Sequence, residues 1–194
     1  MSKYNLIIVL FCVLFLTACG MRSIPMSINT VDAAWAEVQN QYKRRSDLIP
    51  NLVKTVKGYA AHEKETLQAV IEARANATKT NISANQLTPA TMKQFSQAQA
   101  GLTSALSKLM VVVERYPDLK ASQNFRDLQH QLEGTENRIT VARNRYIEAI
   151  KHFNNLVTAP PESWYNALFL EHKPKPQFAV ENLEQIQEPP KVDF

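Results

Sequence analysis

The chain has 194 residues, a formal net charge of +4 and a hydrophobic fraction of 45%. These values fit one ordinary domain with a tail and exclude a chain that is disordered throughout. Four glycines against ten prolines exclude a glycine-rich phosphate loop and a strand-and-turn barrel, which both need many tight backbone corners. The 22 basic and 18 acidic residues are spread thinly, so we expect no nucleic-acid partner.

The first nineteen residues resemble the leader of a bacterial lipoprotein. Lys3 precedes an unbroken apolar run over residues 6–16, which as a helix would rise only about 16 Å, roughly half of a bilayer's hydrocarbon core. A basic start and a short apolar run are typical of a secretory signal. Leu16-Thr17-Ala18-Cys19 then resembles a lipobox, in which the cysteine is lipidated and becomes the first mature residue.

Cysteine usage agrees with this prediction. Cys12 lies in the apolar run and would be removed with it, which leaves Cys19 as the one mature thiol and no internal disulfide. An uncleaved anchor and a plain signal peptide are the alternatives. Gly20 follows the cysteine instead of the aspartate that resembles an inner-membrane retention signal, and by that analogy an outer-membrane anchor facing the periplasm is favoured.

The mature chain shows helical periodicity from residue 31 onward. Apolar or interface positions recur at alternating spacings of three and four, the pattern of one helix face. Pro50 interrupts the first stripe, and a proline inside a helix costs about 3 kcal/mol. The apolar phase is unchanged across Pro50, so we expect a helix that is kinked or restarted there. The stripe consists of Val31, Trp35, Val38, Tyr42, Arg45, Ile49, Leu52, Val56, Tyr59, Glu63, Leu67, Val70 and Arg74.

Two further long helices follow a polar loop at residues 80–88. Thr88-Pro89 predicts an N-cap followed by proline at the first helical position, and Tyr116-Pro117 predicts the end of this second helix. Ser122 is the expected cap of the third helix, which ends before Pro160-Pro161. The second helix repeats every seven residues, broken only by Gln99.

These patterns predict an all-α fold: an antiparallel, up-and-down, four-helix-bundle-like arrangement of three long helices, the first kinked or broken near Pro50, plus a short C-terminal helix. We assign residues 1–18 to a lipoprotein signal peptide, 19–29 to a tether, 30–158 to the bundle and 159–194 to an acidic, proline-rich tail. Each long helix contains one glycine beside its stripe, for which we expect close helix approach; these are Gly58, Gly101 and Gly134.

The tail contains six of the ten prolines and has six acidic residues against three lysines. A short helix from Ser163 to Leu170, with Trp164, Leu168 and Phe169, is expected to pack on the bundle. Beyond residue 173 the chain should be extended or partly disordered. The end, Val192-Asp193-Phe194, is either a recognition segment or part of a strap along the bundle.

Several motifs together resemble the LemA family over nearly all of residues 30–194. The resemblance implies a bacterial, helical, membrane-tethered protein, and it suggests TPM-domain proteins or membrane zinc metalloproteases as partners. Most members of that family have an uncleaved N-terminal membrane helix, from which the lipobox departs. The motifs include Tyr42-Lys43-Arg44-Arg45-Ser46-Asp47-Leu48-Ile49-Pro50-Asn51-Leu52-Val53, His62-Glu63, Tyr116-Pro117-Asp118-Leu119-Lys120, Leu132-Glu133-Gly134-Thr135-Glu136-Asn137-Arg138-Ile139 and Pro190-Lys191-Val192-Asp193-Phe194.

Charged residues on the stripes are the candidate site. A buried charge needs a partner, because its desolvation costs several kcal/mol, so we expect an arginine of the first helix to meet Glu136 of the third between the packed helices. A network that sets helix register is favoured over a ligand or partner site, and both over catalysis. The candidate residues are Arg45, Glu63, Arg74, Glu136, Arg138 and Arg143.

A zinc site at His62-Glu63 is not supported, because the second histidine of a helical zinc motif would stand at Thr66. We therefore expect no metal, no cofactor and no catalytic residues. The leading hypothesis is a non-enzymatic envelope lipoprotein that acts as a scaffold or adaptor for another envelope protein. An envelope hydrolase with a site around Glu63 and Glu136 is the alternative, and self-association into a homo-oligomer is also open.

Overall fold

The computed structural model describes the backbone of residues 3–80 and 82–178 and the side chains of residues 22–80 and 82–178. Every regular element in this part of the chain is helical, which confirms the all-α prediction. None of its helices is both long enough and apolar enough to cross a membrane. The helices are α1 (Lys3–Tyr59), α2 (Lys64–Lys79), α3 (Pro89–Val113), α4 (Pro117–Ala121), α5 (Gln123–Thr158) and α6 (Glu162–Tyr165), with a 3-10 turn at Ala84–Gln86 and a π-turn at Asn166–Leu170.

Helices α1, α2, α3 and α5 form an up-and-down bundle. Helix α5 is antiparallel to α1, because Trp35 packs on Tyr146 while Arg45, further along α1, contacts the earlier residue Glu136. Helix α2 folds back along the last part of α1, and α3 then runs in the direction of α1. The end of the bundle near the start of α1 is called proximal below, and the end near the α1–α2 turn is called distal.

Of the two outcomes predicted at Pro50, a kinked helix or a restarted one, the restart is not present. Helix α1 continues through Pro50 to Tyr59, and the chain reverses about ten residues later, at residues 60–63. Pro50 cannot donate a hydrogen bond to the carbonyl of Ser46, four residues earlier. Arg74 of α2 donates to that carbonyl through Nε at 2.8 Å. The returning helix therefore supplies a donor in place of the missing bond at Pro50, one of two prolines inside α1.

The residues assigned to a tether are part of the bundle. Residues 19–29 lie within α1, and Ile24 and Ser27 are buried. Both residues precede Val31 on the same face, three or four positions apart, so the buried stripe begins before residue 30. Residues 1–2, 81 and 179–194 lie outside the described residues, as do the side chains of residues 3–21. Cleavage of the leader, lipidation of Cys19 and the role of Val192-Asp193-Phe194 stay predictions.

The predicted helix ends agree well with the structure. Thr88 caps α3, since its Oγ1 accepts a hydrogen bond from the backbone N–H of Thr91 at 3.1 Å. Ser122 occupies the N-cap position of α5 but makes no capping bond through its side chain. The turn expected between these helices contains a short helix, α4, that starts at Pro117.

Buried side chains form two separate clusters along the bundle. The proximal cluster joins the first part of α1 to α5, to the start of α3 and to Phe178, and its aromatic members are Trp35, Tyr42, Phe95, Tyr146, Phe153 and Phe178. The distal cluster joins the last part of α1 to α2, α3, α4 and the start of α5, and its members are mainly aliphatic. Arg45 lies between the two clusters in the α1 sequence and belongs to neither.

The C-terminal region departs from prediction in one respect. Trp164, Leu168 and Phe169 are 64%, 76% and 67% exposed, so they do not pack on the bundle as expected. Asn166 attaches this region instead, because its side chain donates to the carbonyl of His172 at 2.9 Å and accepts from the His172 N–H at 3.0 Å.

Residues 171–178 lie along the bundle without regular structure. Asn154 of α5 binds both the carbonyl and the N–H of Lys175, at 3.1 and 2.8 Å. Phe178 is buried and packs against Trp35 and Tyr146. This part of the tail is therefore a strap that completes the proximal cluster.

Candidate functional site

The candidate site is a polar layer between the two apolar clusters, centred on Arg45. This residue falls on the buried stripe of α1 between Tyr42 and Ile49, so the helical period alone directs it into the bundle. Its side chain is 2% exposed. A guanidinium at that depth has lost nearly all of its water, and its charge is tolerated only where the protein supplies partners.

Two other helices supply those partners. Nη1 donates to Glu136 Oε1 on α5 at 2.7 Å and to Thr103 Oγ1 on α3 at 3.1 Å. Nη2 donates to Gln99 Oε1 on α3 at 2.7 Å and less closely to the Gln99 carbonyl. The guanidinium also lies 5.1 Å from the centre of the Tyr42 ring. One side chain thus joins three helices, and this geometry fixes their relative height.

Gln99 is, with Thr103, a member of this site that sequence reasoning did not select. It interrupts the seven-residue apolar repeat of α3, which is the signal that could have identified it. Gln99 is buried, and its Nε2 faces the carbonyl of Ala77 on α2 at 3.4 Å. Through Gln99, the contacts of Arg45 extend to the fourth helix of the bundle.

Glu136 is not enclosed between helices as the expected buried pair would be. Its side chain is 47% exposed, and it lines an open cleft of about 670 Å³ between α1, α3 and α5. The carboxylate can therefore keep part of its hydration while it neutralises Arg45. This lowers the desolvation cost that would apply if both charges were buried.

Arg143 lies at the proximal end of the same cleft. Its guanidinium is 4.6 Å from the centre of the Phe178 ring, which is within the range of a cation–π contact. Burial raises the pKa of the Tyr42 hydroxyl above its usual value, and the positive charges of Arg143 and Arg45 oppose that rise. Arg143 therefore links the polar layer to the strap.

The remaining predicted residues lie elsewhere. Arg74 contacts the Ser46 carbonyl, as described above. Glu63, in the α1–α2 turn, accepts hydrogen bonds from Tyr116 Oη at 2.9 Å and Arg115 Nη2 at 3.1 Å, and the bond from Tyr116 is the main reason why the pKa of that hydroxyl is raised. Arg138 is exposed and joins none of these groups within the part of the chain that the structure describes.

The arrangement is suited to holding helices together. Arg45 and Tyr59 are fourteen residues apart on α1, about 21 Å of helix, so Glu136 beside the first and Glu63 just beyond the second do not share one site. The cleft is lined by amides, hydroxyls and the arginine–glutamate pair. No group of three or more metal-ligating side chains converges in the described chain.

Comparison with known proteins identifies a family. The LemA family model matches residues 34–194, which is most of the chain and contains every member of the polar layer. No curated protein matches the chain.

Proposed function

The chain belongs to the LemA family, and we propose that this member is a membrane-anchored, non-enzymatic envelope lipoprotein that acts as a scaffold or adaptor for other envelope proteins. The anchor is the lipid on Cys19, and the outer membrane facing the periplasm is its location. The leader pattern of residues 1–19 supports this part of the proposal. No cofactor, metal or nucleic acid enters it.

The continuity of α1 is the observation that carries the proposal. One helix runs from Lys3 to Tyr59, and its face is buried from Ile24 onward. The buried stripe therefore begins five residues after Cys19, on the same continuous helix. From Ile24 to Tyr59 the helix rises about 53 Å, so the distal end is held at a fixed height above the proximal end, a geometry that suits a scaffold.

The polar layer supports a binding role over a catalytic one. Arg45 is neutralised by Glu136 and bridges α1, α3 and α5, so the strongest charges on the helix stripes already have partners. Because we assign this pair a structural role, we propose that the exposed surfaces of the bundle perform the function. Partner binding by surfaces also agrees with the family resemblance, which suggests a TPM-domain protein or a membrane metalloprotease.

The distal end offers a surface for such a partner. Tyr59 is 50% exposed and Val111 71% exposed, and exposed aromatic side chains are favoured anchors in protein interfaces. Tyr59 also lines a shallow groove between α1 and α5, with Lys54 and Asp127 among its lining residues. One aromatic ring beside both signs of charge suits a protein interface.

The anchor is tested first. We expect the mature N-terminal peptide of the full chain to begin at Cys19 and to carry the mass of its acyl groups. A Cys19→Ala chain should keep its leader uncleaved and lack the mass of the acyl groups. An unmodified Cys19 in a membrane-bound chain would refute the lipoprotein part of the proposal.

The adaptor role is tested by crosslinking in cells. A photoreactive amino acid at Tyr59 should capture one membrane protein, and Tyr59→Asp should abolish capture of that same protein by a second photoreactive group at Val111. The matched control places the photoreactive group at Val141, which is also about half exposed but lies near the middle of α5, away from the distal end. Equal capture from Val141 and Tyr59, or capture of the chain itself only, would contradict the adaptor role.

A further inference from the structure

The largest exposed apolar side chains of the described residues gather at the proximal end. Trp164, Leu168 and Phe169 are all more than 60% exposed, and they lie within six residues of chain in α6 and the π-turn. Tyr165 stacks on Phe169 at 5.0 Å. This group is called the proximal patch below. The other large exposed apolar side chains are single residues spread over α1, α2, α3 and α5.

The proximal patch is a built feature of the fold. Leu170, which ends the π-turn, packs into the proximal cluster that also contains Ile24 and Val157. Asn166 donates to the Val157 carbonyl at 3.4 Å and holds His172 through two further bonds. Asn166 and Leu170 therefore face the bundle, whereas the side chains of Trp164, Leu168 and Phe169 face outward.

Chain length places this patch next to the proposed anchor at Cys19. Ile24 lies only five residues after Cys19, and α1 is continuous between them. Five residues of helix rise about 8 Å. A chain anchored at Cys19 therefore cannot hold residues near Ile24 far from the lipid headgroups, and Leu170 is in the same cluster as Ile24.

From this juxtaposition we infer that the proximal patch inserts into the interface of the bilayer that carries the anchor. This inference rests on the membrane anchoring proposed above and adds a second contact to it. Tryptophan and other aromatic side chains favour the headgroup region, where the ring is apolar and the indole N–H remains hydrated. Acyl chains alone would let the helical bundle tilt freely on the membrane, whereas a second contact at its proximal end would fix its orientation.

Charge does not account for binding at this end. The positive charges of Arg22 and Lys173 are balanced by the negative charges of Glu162, the first residue of α6, and Glu171, which directly follows the π-turn. We therefore expect insertion driven by apolar burial, with little dependence on ionic strength.

The two tryptophans make the inference measurable in the full-length chain. Trp35 is 1% exposed and Trp164 is 64% exposed, so subtracting the emission of a Trp164→Phe chain isolates Trp164. In liposomes with acyl chains brominated near the headgroups, we expect the Trp164 emission to shift to the blue and to fall at least twofold. The fall should persist in about 0.5 M salt.

The matched control places the exposed tryptophan at the distal end of the bundle. In a Trp164→Phe/Tyr59→Trp chain the new tryptophan lies about 50 Å along α1 from Met26, and its emission should not respond to the brominated lipid. A Leu168→Ser/Phe169→Ser chain should lose at least half of the Trp164 quenching without a change in Tm, because both side chains are exposed.

Flotation of the liposomes separates the two proposals. If the chain floats with the vesicles and Trp164 is not quenched, the patch does not insert and the inference fails, although the anchor stands. A blue-shifted but unquenched Trp164 also refutes insertion, and it shows that protein, either the tail or a second copy, covers the patch. A chain that does not float refutes the anchor itself, and the inference with it.

Discussion

The proximal and distal clusters bury their side chains in different ways. Six aromatic rings fill the proximal cluster, whereas Phe125 is the one ring among the fully buried side chains described for the distal cluster. Helix α2 has 16 residues and rises about 24 Å, so it covers only the distal part of α1. Where a fourth helix is present, aliphatic side chains fill the space between helices. Where it is absent, large rings and the strap of residues 171–178 take its place.

The proximal rings hold together by specific contacts as well as by area. Trp35 packs against Phe95 and Tyr146 with ring centres 5.2 Å apart, and its Nε1 donates to the Ile82 carbonyl at 2.7 Å. Aromatic pairs of this kind contribute about 0.5–1.5 kcal/mol beyond their buried area. We therefore expect the proximal cluster to be more sensitive than the distal cluster to the loss of a single side chain.

Trp35→Ala should have the strongest effect of any single change, lowering the free energy of unfolding by about 3–5 kcal/mol. Leu109→Ala, at an equally buried distal position, is the matched comparison and should cost about 2–3 kcal/mol. Urea denaturation followed by far-UV circular dichroism measures both. A third variant, Trp35→Phe, should cost about 1 kcal/mol, because a ring remains and Gln39 also donates to the Ile82 carbonyl. A larger loss for Leu109→Ala than for Trp35→Ala would contradict the ranking of the clusters.

Glu136→Gln tests the polar layer that separates the clusters. Hydrogen bonds to charged groups contribute about 1.5–3 kcal/mol, and we expect a loss of about 2 kcal/mol by urea denaturation, since Arg45 would stay buried without its counter-charge. Glu133→Gln on the same helix is the control. Its carboxylate is 59% exposed and 3.7 Å from His130, so a loss below about 0.5 kcal/mol is expected. Unchanged stability and cellular accumulation of Glu136→Gln would show that the pair does not hold the layer.

A double-mutant cycle at Pro50 and Arg74 tests how α2 stabilises the distal half. Arg74→Met should cost about 1–2 kcal/mol, because the Ser46 carbonyl would lose the donor that replaces the helical N–H. In a Pro50→Ala chain that N–H is restored, and Arg74→Met should cost about 1 kcal/mol less. Additive losses in urea denaturation would mean that Arg74 acts on something other than the Ser46 carbonyl.

Gly134→Ala should produce a small gain at the level of the polar layer. The expectation of close helix approach at the three glycines is wrong, because a Cβ at Gly58, Gly101 or Gly134 would meet nothing within 4 Å. Alanine at an open helical position is better than glycine by about 0.5–1 kcal/mol, so Tm should rise by about 1–4 °C. Gly101→Ala on α3 should give a similar gain, and a fall in Tm for either variant would indicate a contact that the structure does not contain.

Much of the fold could be predicted because helical periodicity is a local signal. The stripe from Val31 to Val56, the cap at Thr88 and the stop at Tyr116-Pro117 all depend on neighbours within a turn or two of helix, and the structure agrees with them. The contact between Arg45 and Glu136 was also accessible, because a charge on a buried stripe requires a partner. The choice of Glu136 required only the expectation that α5 packs against α1.

The rest depended on distant parts of the chain. Helix α1 passes Pro50 because Arg74, on another helix, binds the Ser46 carbonyl, and no local rule contains that contact. Trp164, Leu168 and Phe169 have the composition of a packed helix, but Leu170 and Asn166 are the residues of this region that contact the bundle. Glu136 is half-exposed because α3 and α5 leave a cleft between them, a result of packing that no window of sequence describes.

The sequence by itself therefore determined the helical class, the family and Glu136 as the partner of an arginine of the first helix, since each follows from period, spacing or motif. The tertiary structure decided where the first helix ends, which carboxylate reaches water and which apolar side chains stay outside. The physical reason is that these features depend on the neighbouring helix, which supplies hydrogen-bond donors and covers apolar surface. Which helix packs alongside is a property of the assembled bundle.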